Sequence, residues 1–315
     1  MKLYLGVDGG QSGTTALIGD ETGRVLAAGT GGPCNHAGAA GGREKLSRAV
    51  TESVGNACAQ VGLDLRGIRF ECACFGMSGG PADKQAILTE ILPAGRLVVT
   101  TDAAIALAGA TGGEPGIITI AGTGSIAFGR NAEGKTARAG GWGYIFGDEG
   151  GGFDIARQAL RAALRFEEGW GPATALYRSL LDAADAADAN ELMHHFYTEG
   201  WPRPRIASLA RLVDETARAG DSVALQILLT AAQQLAELTA SVKRQLWNER
   251  ETATAAYIGG VFRSDSLLKR YRLLLELEGM RCIAPAYGPA AGALLEAYRA
   301  CGLHPTLSQV PEFKT

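Results

Sequence analysis

The 315-residue chain lacks several signals that would place it quickly. Its six cysteines (Cys34, Cys58, Cys72, Cys74, Cys282 and Cys301) form no CxxC pair and no Cys/His spacing suited to zinc. Cys72-Ala73-Cys74 lies in an apolar, strand-like run with both sulfurs on one face, so buried reduced thiols are expected. No apolar stretch approaches the ~20 residues that cross a bilayer. The few apolar residues between Lys2 and Asp8 are too short for the apolar segment of a signal peptide. A cytoplasmic protein with no membrane partner is therefore expected. Lys and Arg (30) nearly balance Asp and Glu (33), which gives no basic surface pointing to nucleic acid. A Walker A loop, with its lysine after the second glycine, is also absent.

Glycine, by contrast, is abundant: 44 of 315 residues, about twice the average usage of ~7%. It concentrates at the ends of apolar runs and the starts of helical ones. Two loops stand out. The first is Gly6-Val7-Asp8-Gly9-Gly10-Gln11-Ser12-Gly13-Thr14-Thr15, after Leu3-Tyr4-Leu5. The second is Ala121-Gly122-Thr123-Gly124-Ser125, after Ile117-Ile118-Thr119-Ile120. Glycine lets backbone N–H groups turn toward an anion without side-chain obstruction, and neighbouring hydroxyls add donors suited to phosphate oxygens. Asp8 would repel a phosphate directly, but fits if a hydrated Mg²⁺ lies between them. Either loop alone reads equally well as a plain turn at a strand end. Together they suggest a nucleotide held by two similar half-sites.

The order of elements repeats. Residues 3–7, 14–19 and 24–29 read as a strand meander, followed by a helix over 43–61, a strand over 68–77, a helix over 82–92, a strand over 97–101 and a helix over 103–110. Residues 117–121, 125–129 and 136–139 read as a second meander. Helices over 152–168, 172–186, 205–219 and 222–247 follow, then a strand over 255–258, a helix over 266–277, a strand over 281–284 and a last helix after Gly288. A mixed sheet with packed helices is implied for each half. The boundary is expected at Thr111-Gly112-Gly113-Glu114-Pro115, giving domains 1–112 and 113–315, with the final helix able to pack back on the first. The cleft between two such domains is the natural ligand site.

Several blocks together resemble a known family. They are Gly6-Val7-Asp8-Gly9-Gly10, Cys34-Asn35-His36, Thr101-Asp102-Ala103, Ala121-Gly122-Thr123-Gly124-Ser125 and, most specific, Gly140-Gly141-Trp142-Gly143-Tyr144-Ile145-Phe146-Gly147-Asp148-Glu149-Gly150. Over nearly its whole length the chain resembles N-acetylglucosamine kinases and the BadF/BadG/BcrA/BcrD ATPase-type proteins, in the sugar-kinase branch of the actin-like ATPase superfamily. The resemblance implies an α/β fold of two ribonuclease-H-like domains around a central cleft. It also implies transfer of the γ-phosphoryl of ATP, with Mg²⁺, to an amino-sugar hydroxyl such as the 6-OH of N-acetylglucosamine or glucosamine, and a homodimer. By resemblance, Asp8, Gly9, Gly10, Gln11, Ser12, Gly13 and Thr14 form the first phosphate loop, with Asp8 holding Mg²⁺ through water. Thr123, Gly124 and Ser125 form the second. Gly259, Gly260 and Phe262 hold adenosine. Asp102 is the catalytic base, and Asn35, Ser78, Asp102, Trp142, Asp148 and Glu149 line the sugar pocket. Two departures are noted: Gln11-Ser12-Gly13 replaces the usual Gly-Thr continuation, and Pro289 follows Gly288 where a small residue is usual. Proline suits the first position of a helix.

The chemistry asks for positioning, charge neutralisation and a base for the hydroxyl proton. Asp102 stands between an apolar strand and a helix, where it could also act simply as a helix cap. Trp142 could stack on a sugar or fill the core, and Asp148-Glu149 could bind diols or cap the following helix. Closure on sugar binding, hinged near Thr111–Gly113, would keep water from competing. Three other readings use the same residues. Gly76-Met77-Ser78-Gly79-Gly80 matches a nucleophile elbow, with His194, His195 or His304 as partners of a serine hydrolase. Gly122-Thr123-Gly124-Ser125-Ile126-Ala127 matches a dinucleotide fingerprint, which must open a helix, whereas a strand is expected here. An ATP-dependent activator or regulator of the BadF type is the third, though the scattered cysteines offer no iron–sulfur pattern.

Overall fold

A computed structural model describes residues 1–10, 12–34, 41–65, 67–77 and 82–311. The first strand shows how its surroundings are built. In β1 (Leu3–Gly9) Leu3, Leu5 and Val7 face one way, and Tyr4 and Gly6 the other, with the period of two that a strand imposes. Both faces are covered. Leu3, Leu5 and Val7 join a core with Leu46, Val50 and Val54 of α1 (Gly42–Gln60), spaced for one helix face. Tyr4 joins a second core with α11 (Pro289–Ala300), whose Tyr298 ring lies 4.5 Å from its own. Gly6 is what lets α11 approach, because a Cβ there would stand 2.1 Å from the Leu294 nitrogen.

β1 pairs antiparallel with β2 (Thr14–Asp20), which pairs antiparallel with β3 (Val25–Gly31). On its other side it pairs parallel with β4 (Phe70–Met77), which pairs parallel with β5 (Ala94–Thr100). Parallel pairing requires crossovers, which α1 and α2 (Ala82–Ile91) supply. β4 is buried along almost its whole length, as a continuous apolar run covered on both faces should be. α3 (Asp102–Thr111) follows, capped at its start by the Thr101 hydroxyl and ended by left-handed Gly112. Among the described residues this sheet has the order β3-β2-β1-β4-β5.

The second sheet has the order β8-β7-β6-β9-β10, built from β6 (Gly116–Ala121), β7 (Ser125–Arg130), β8 (Thr136–Gly140), β9 (Ala253–Ile258) and β10 (Met280–Ile283). The two orders are the same, so the repeat is one of topology. Between β8 and β9 run α4 (Gly152–Glu167), α5 (Leu176–Ala184), α6 (Ala189–Phe196), α7 (Arg203–Ser208), α8 (Ala210–Arg218) and α9 (Ser222–Leu246). A 3₁₀ turn over Gly260–Arg263 and α10 (Asp265–Leu277) connect β9 to β10. The α6 helix, which carries His194 and His195, is started by a reciprocal cap: Asp188 accepts the Asn190 and Glu191 N–H groups, and Glu191 accepts that of Ala187. The single helix expected over 205–219 is instead α7 and α8. They part at Leu209, whose N–H closes a tight bond to the Ile206 carbonyl. Buried hydroxyls of Thr119, Thr239 and Tyr271 link β6, α9 and α10 at 2.7 and 3.0 Å.

The chain divides into two compact units, residues 1–116 with 284–315, and residues 117–283. The final segment joins the first unit through α11. Its packing on α3 is backbone-close: a Cβ on Gly292 would fall 1.8 Å from the Ile105 carbonyl oxygen. Pro289 occupies the start of α11, where its missing N–H costs nothing.

Candidate functional site

In the first unit the loop after β1 is drawn in by its own backbone. The Gly10 N–H donates to the Gly13 carbonyl at 2.9 Å, and the Cys34 N–H donates to Gly10 at 2.9 Å. Thr14 is turned inward and buried, its hydroxyl donating to the Gly32 carbonyl at 2.8 Å and lying 3.0 Å from the Cys34 sulfur. Of the two hydroxyls expected to meet phosphate, only that of Ser12 is exposed. Gln11, Asn35 and Ser78 lie outside the described residues, as does His36.

Asp8, near the end of β1, pairs in register with Thr15 on one side and Gly76 on the other. Burial, and then the charge of Asp102, push its carboxyl up to about 6. Asp102 opens α3 with an exposed side chain, one oxygen accepting the Ala103 N–H at 2.8 Å. A desolvated Asp8 carboxyl that also feels the Asp102 charge suits a cation near it. Among the described residues no group of three or more His, Cys, Asp or Glu side chains could cage a metal. Carboxylate oxygens such as those of Asp8 are the hard donors that suit an ion such as Mg²⁺, which keeps most of its water and takes other oxygens from a phosphate.

In the second unit the loop between β6 and β7 is stitched to the start of α4. The Gly152 and Phe153 N–H groups donate to the Gly122 and Thr123 carbonyls at 2.8 and 3.0 Å. Ser125 is buried; its hydroxyl donates to the Glu149 carbonyl at 2.6 Å and its N–H to Asp148 at 3.4 Å. Asp148 is buried too, with a left-handed backbone (φ 66°) and a 2.6 Å ion pair to Arg203 of α7. A Cβ on Gly124 would sit 2.3 Å from that carboxylate. Asp148 and Ser125 therefore brace the loop, whereas the adjoining Glu149 is exposed. Trp142 is 64% exposed, with the Arg138 guanidinium 4.4 Å from its ring centre, so it stands on the surface of its unit and not in the core.

The glycine pair after β9 differs residue by residue. Gly259 has φ 117°, and a Cβ there would lie 2.2 Å from the Ala121 carbonyl oxygen, so only glycine allows this approach to β6. Gly260 and Gly122 face open space, with nothing within 4 Å of where a Cβ would be. Both border a cavity of about 430 Å³ within the second unit. Thr123, Ser208, Arg211, Asp214 and Arg263 contribute to its polar lining, and Ile155, Ala207, Leu228 and Val261 to its apolar walls. Phe262 is not among the lining residues. It stacks 5.1 Å from Tyr257 and 5.0 Å from Tyr271 in the core, beneath the loop it was expected to serve directly. Sequence reasoning missed Ser208, Arg211, Asp214 and Arg263. The helical spacing of 210, 211, 214, 215 and 218 was visible, but not that this face of α8 borders a cavity.

The competing dinucleotide reading fails on geometry, because Ser125–Arg130 is strand β7 and the fingerprint must open a helix. The elbow at Ser78–Gly80 falls outside the described residues. No helix among the described residues is long and apolar enough to cross a membrane.

The chain is 33% identical over 311 residues to an N-acetylmuramic acid/N-acetylglucosamine kinase of Clostridium acetobutylicum, covering 96% of this chain and all of that one. It is 31% identical to an N-acetyl-D-glucosamine kinase of Dictyostelium discoideum, over 85% of this chain and 88% of the other. A solved structure of a protein thought to be an N-acetylglucosamine kinase, from Chromobacterium violaceum, superposes with a TM-score of 0.75 at 28% identity, covering 94% and 98% of the two chains. Its fold, like this one, is the two-lobed actin-like ATPase fold of sugar kinases. The model of the BadF/BadG/BcrA/BcrD ATPase family matches residues 5–297, and the chain belongs to that family.

Proposed function

We propose that this chain is an ATP-dependent amino-sugar kinase that phosphorylates a hydroxyl, the 6-OH, of N-acetylglucosamine or a close analogue. The observation that carries the reading is the whole-length similarity to the Clostridium kinase. The second unit holds the nucleotide: Gly122, Thr123 and Gly124 meet the phosphates, and the cavity that Gly122 and Gly260 leave open takes the nucleoside. In the first unit, Ser12 and Gly13 offer further donors to the phosphates, Gly9 and Gly10 let the loop turn close to them, and Asp102 accepts the proton of the attacking hydroxyl. A bound Mg²⁺, held by Asp8 through water, would neutralise charge on the transferring group. Trp142 offers a ring face to the sugar, and Glu149 accepts hydrogen bonds from its hydroxyls. Asn35 and Ser78 are assigned to the same pocket. Asp148 acts through the loop it braces. The same reading makes the chain a cytoplasmic homodimer, which fractionation and light scattering test. The direct experiment is coupled ADP release with N-acetylglucosamine, N-acetylmuramic acid, glucosamine and glucose, with phosphorus NMR locating the phosphate. No ADP release with any of the four contradicts the proposal.

A further inference from the structure

Two guanidinium groups lie on aromatic rings of the loop between β8 and α4, and only one of them is neutralised. The loop is held by its backbone and by Asp148. The Gly141 N–H donates to the Ser125 carbonyl at 2.9 Å, and the Phe146 and Gly147 N–H groups donate to the Gly143 carbonyl at 3.1 and 2.8 Å. Arg203 lies 5.0 Å from the Tyr144 ring centre, and Asp148 meets its charge at 2.6 Å. Arg138 lies 4.4 Å from the Trp142 ring centre and is exposed. Its guanidinium has no hydrogen-bond or ion-pair partner among the described residues. The Glu149 carboxylate is likewise exposed and without such a partner among them. It stands close to the same ring: a Cβ on Gly147 would lie 3.3 Å from its Oε2 and 3.7 Å from the Trp142 Cβ. An acceptor and a cation thus border one exposed indole without pairing with each other.

A cation over a ring face spends no N–H donor on the ring. The planar fork of arginine is kept for another partner, and it matches a carboxylate or a phosphate, whose oxygens accept two parallel hydrogen bonds. A neutral sugar has no group that answers this charge. Its hydroxyls suit the Glu149 carboxylate, and its apolar face suits the indole. We infer that Arg138 is a specificity-determining residue for the acceptor, pairing with an anionic substituent (a carboxylate or a phosphate) on an amino sugar that lies against Trp142 and reaches Glu149 with its hydroxyls. This rests on the reading of Trp142 and Glu149 as residues of the sugar pocket. Arg138 takes no part in the phosphoryl transfer. It selects which amino sugar is held.

The test uses the full chain with two matched pairs of acceptors. N-acetylmuramic acid and its methyl ester differ in a carboxylate charge and hardly in size. N-acetylglucosamine 1-phosphate and the methyl glycoside of N-acetylglucosamine differ in an anomeric phosphate. The wild type should favour the anion of at least one pair by about 10-fold in kcat/KM, the low end for a charge-assisted hydrogen bond because the site is open to solvent. The pair that shows the preference tells carboxylate from phosphate. In Arg138→Gln the ratio within that pair should fall to about one, and in Arg138→Glu it should invert, since a like charge then faces the anion. Each ratio is taken within one protein, so a general loss of activity cancels. A wild type with no preference in either pair, or a preference that persists in a folded Arg138→Gln or Arg138→Glu variant, overturns the inference. A wild type that binds the sugars in calorimetry but releases no ADP with any of them sinks the kinase reading alone, and the affinities within the two pairs then decide Arg138. A wild type that binds none of the sugars overturns both.

Discussion

Replacing Asp8 by asparagine should make the empty protein more stable at neutral pH while abolishing its activity. Burial, and secondly the charge of Asp102, raise the Asp8 carboxyl from its usual 3.8 to about 6. A group that binds its proton more tightly when folded stabilises the fold in its protonated state. That contribution is complete below the unfolded value near 3.8 and is lost as pH rises through about 6. The displacement corresponds to a cost of up to about 3 kcal/mol for keeping Asp8 ionised at pH 8. Asparagine has the same shape and no charge. Asp8→Asn should therefore unfold with a midpoint about 5–10 °C above wild type at pH 8 in the absence of nucleotide, and the gap should shrink toward zero near pH 4. Thermal melts of both proteins across that range check it. Mg-ATP should reverse the order by stabilising the wild type and not the variant. A variant less stable than wild type at pH 8, or a gap that does not change with pH, refutes the reasoning.

Asp102→Asn should lower kcat by about 10²–10⁴-fold with the KM for ATP within about twofold, measured by coupled ADP release. Gly259→Ala forces a Cβ to 2.2 Å from the Ala121 carbonyl oxygen at a φ of 117°. It should cost about 2–4 kcal/mol in urea unfolding and weaken ATP binding. Asp221 caps α9 while also accepting from Ala175 and Thr174. Burial pushes its carboxyl up, but these hydrogen bonds prevail and hold it below the usual range. Asp221→Ala should cost about 2 kcal/mol at pH 7, and less as pH falls through the carboxylate range, because the wild type loses that contribution on protonation.

The repeated strand order was legible because each strand is short, apolar and bounded by glycine or an Asn/Asp turn, signals that act locally. The positions of Asp102 and Gly122 just past strand ends were legible for the same reason. The partners of buried polar side chains were harder. Thr14, Ser125 and Asp148 have the chemistry of ligand contacts, and only packing decides that they also hydrogen-bond Gly32, Glu149 and Arg203. Phe262 adjoins the open Gly260, yet Tyr257 and Tyr271 claim its ring. The break at Leu209 left no mark in the apolar spacing, which runs on through Ile206, Leu209 and Val213. The cavity beside α8 could not be read at all, because its lining joins α8 to loops distant in sequence.

The central claim is that phosphoryl leaves ATP for an amino-sugar hydroxyl. Titrating the protein and Mg-ATP with N-acetylglucosamine, and counting ADP and sugar phosphate together, tests it most directly. The account predicts saturable ADP release that needs the sugar, with one sugar phosphate formed per ADP. ADP formed at the same rate without sugar, or no ADP with the whole amino-sugar panel, contradicts it.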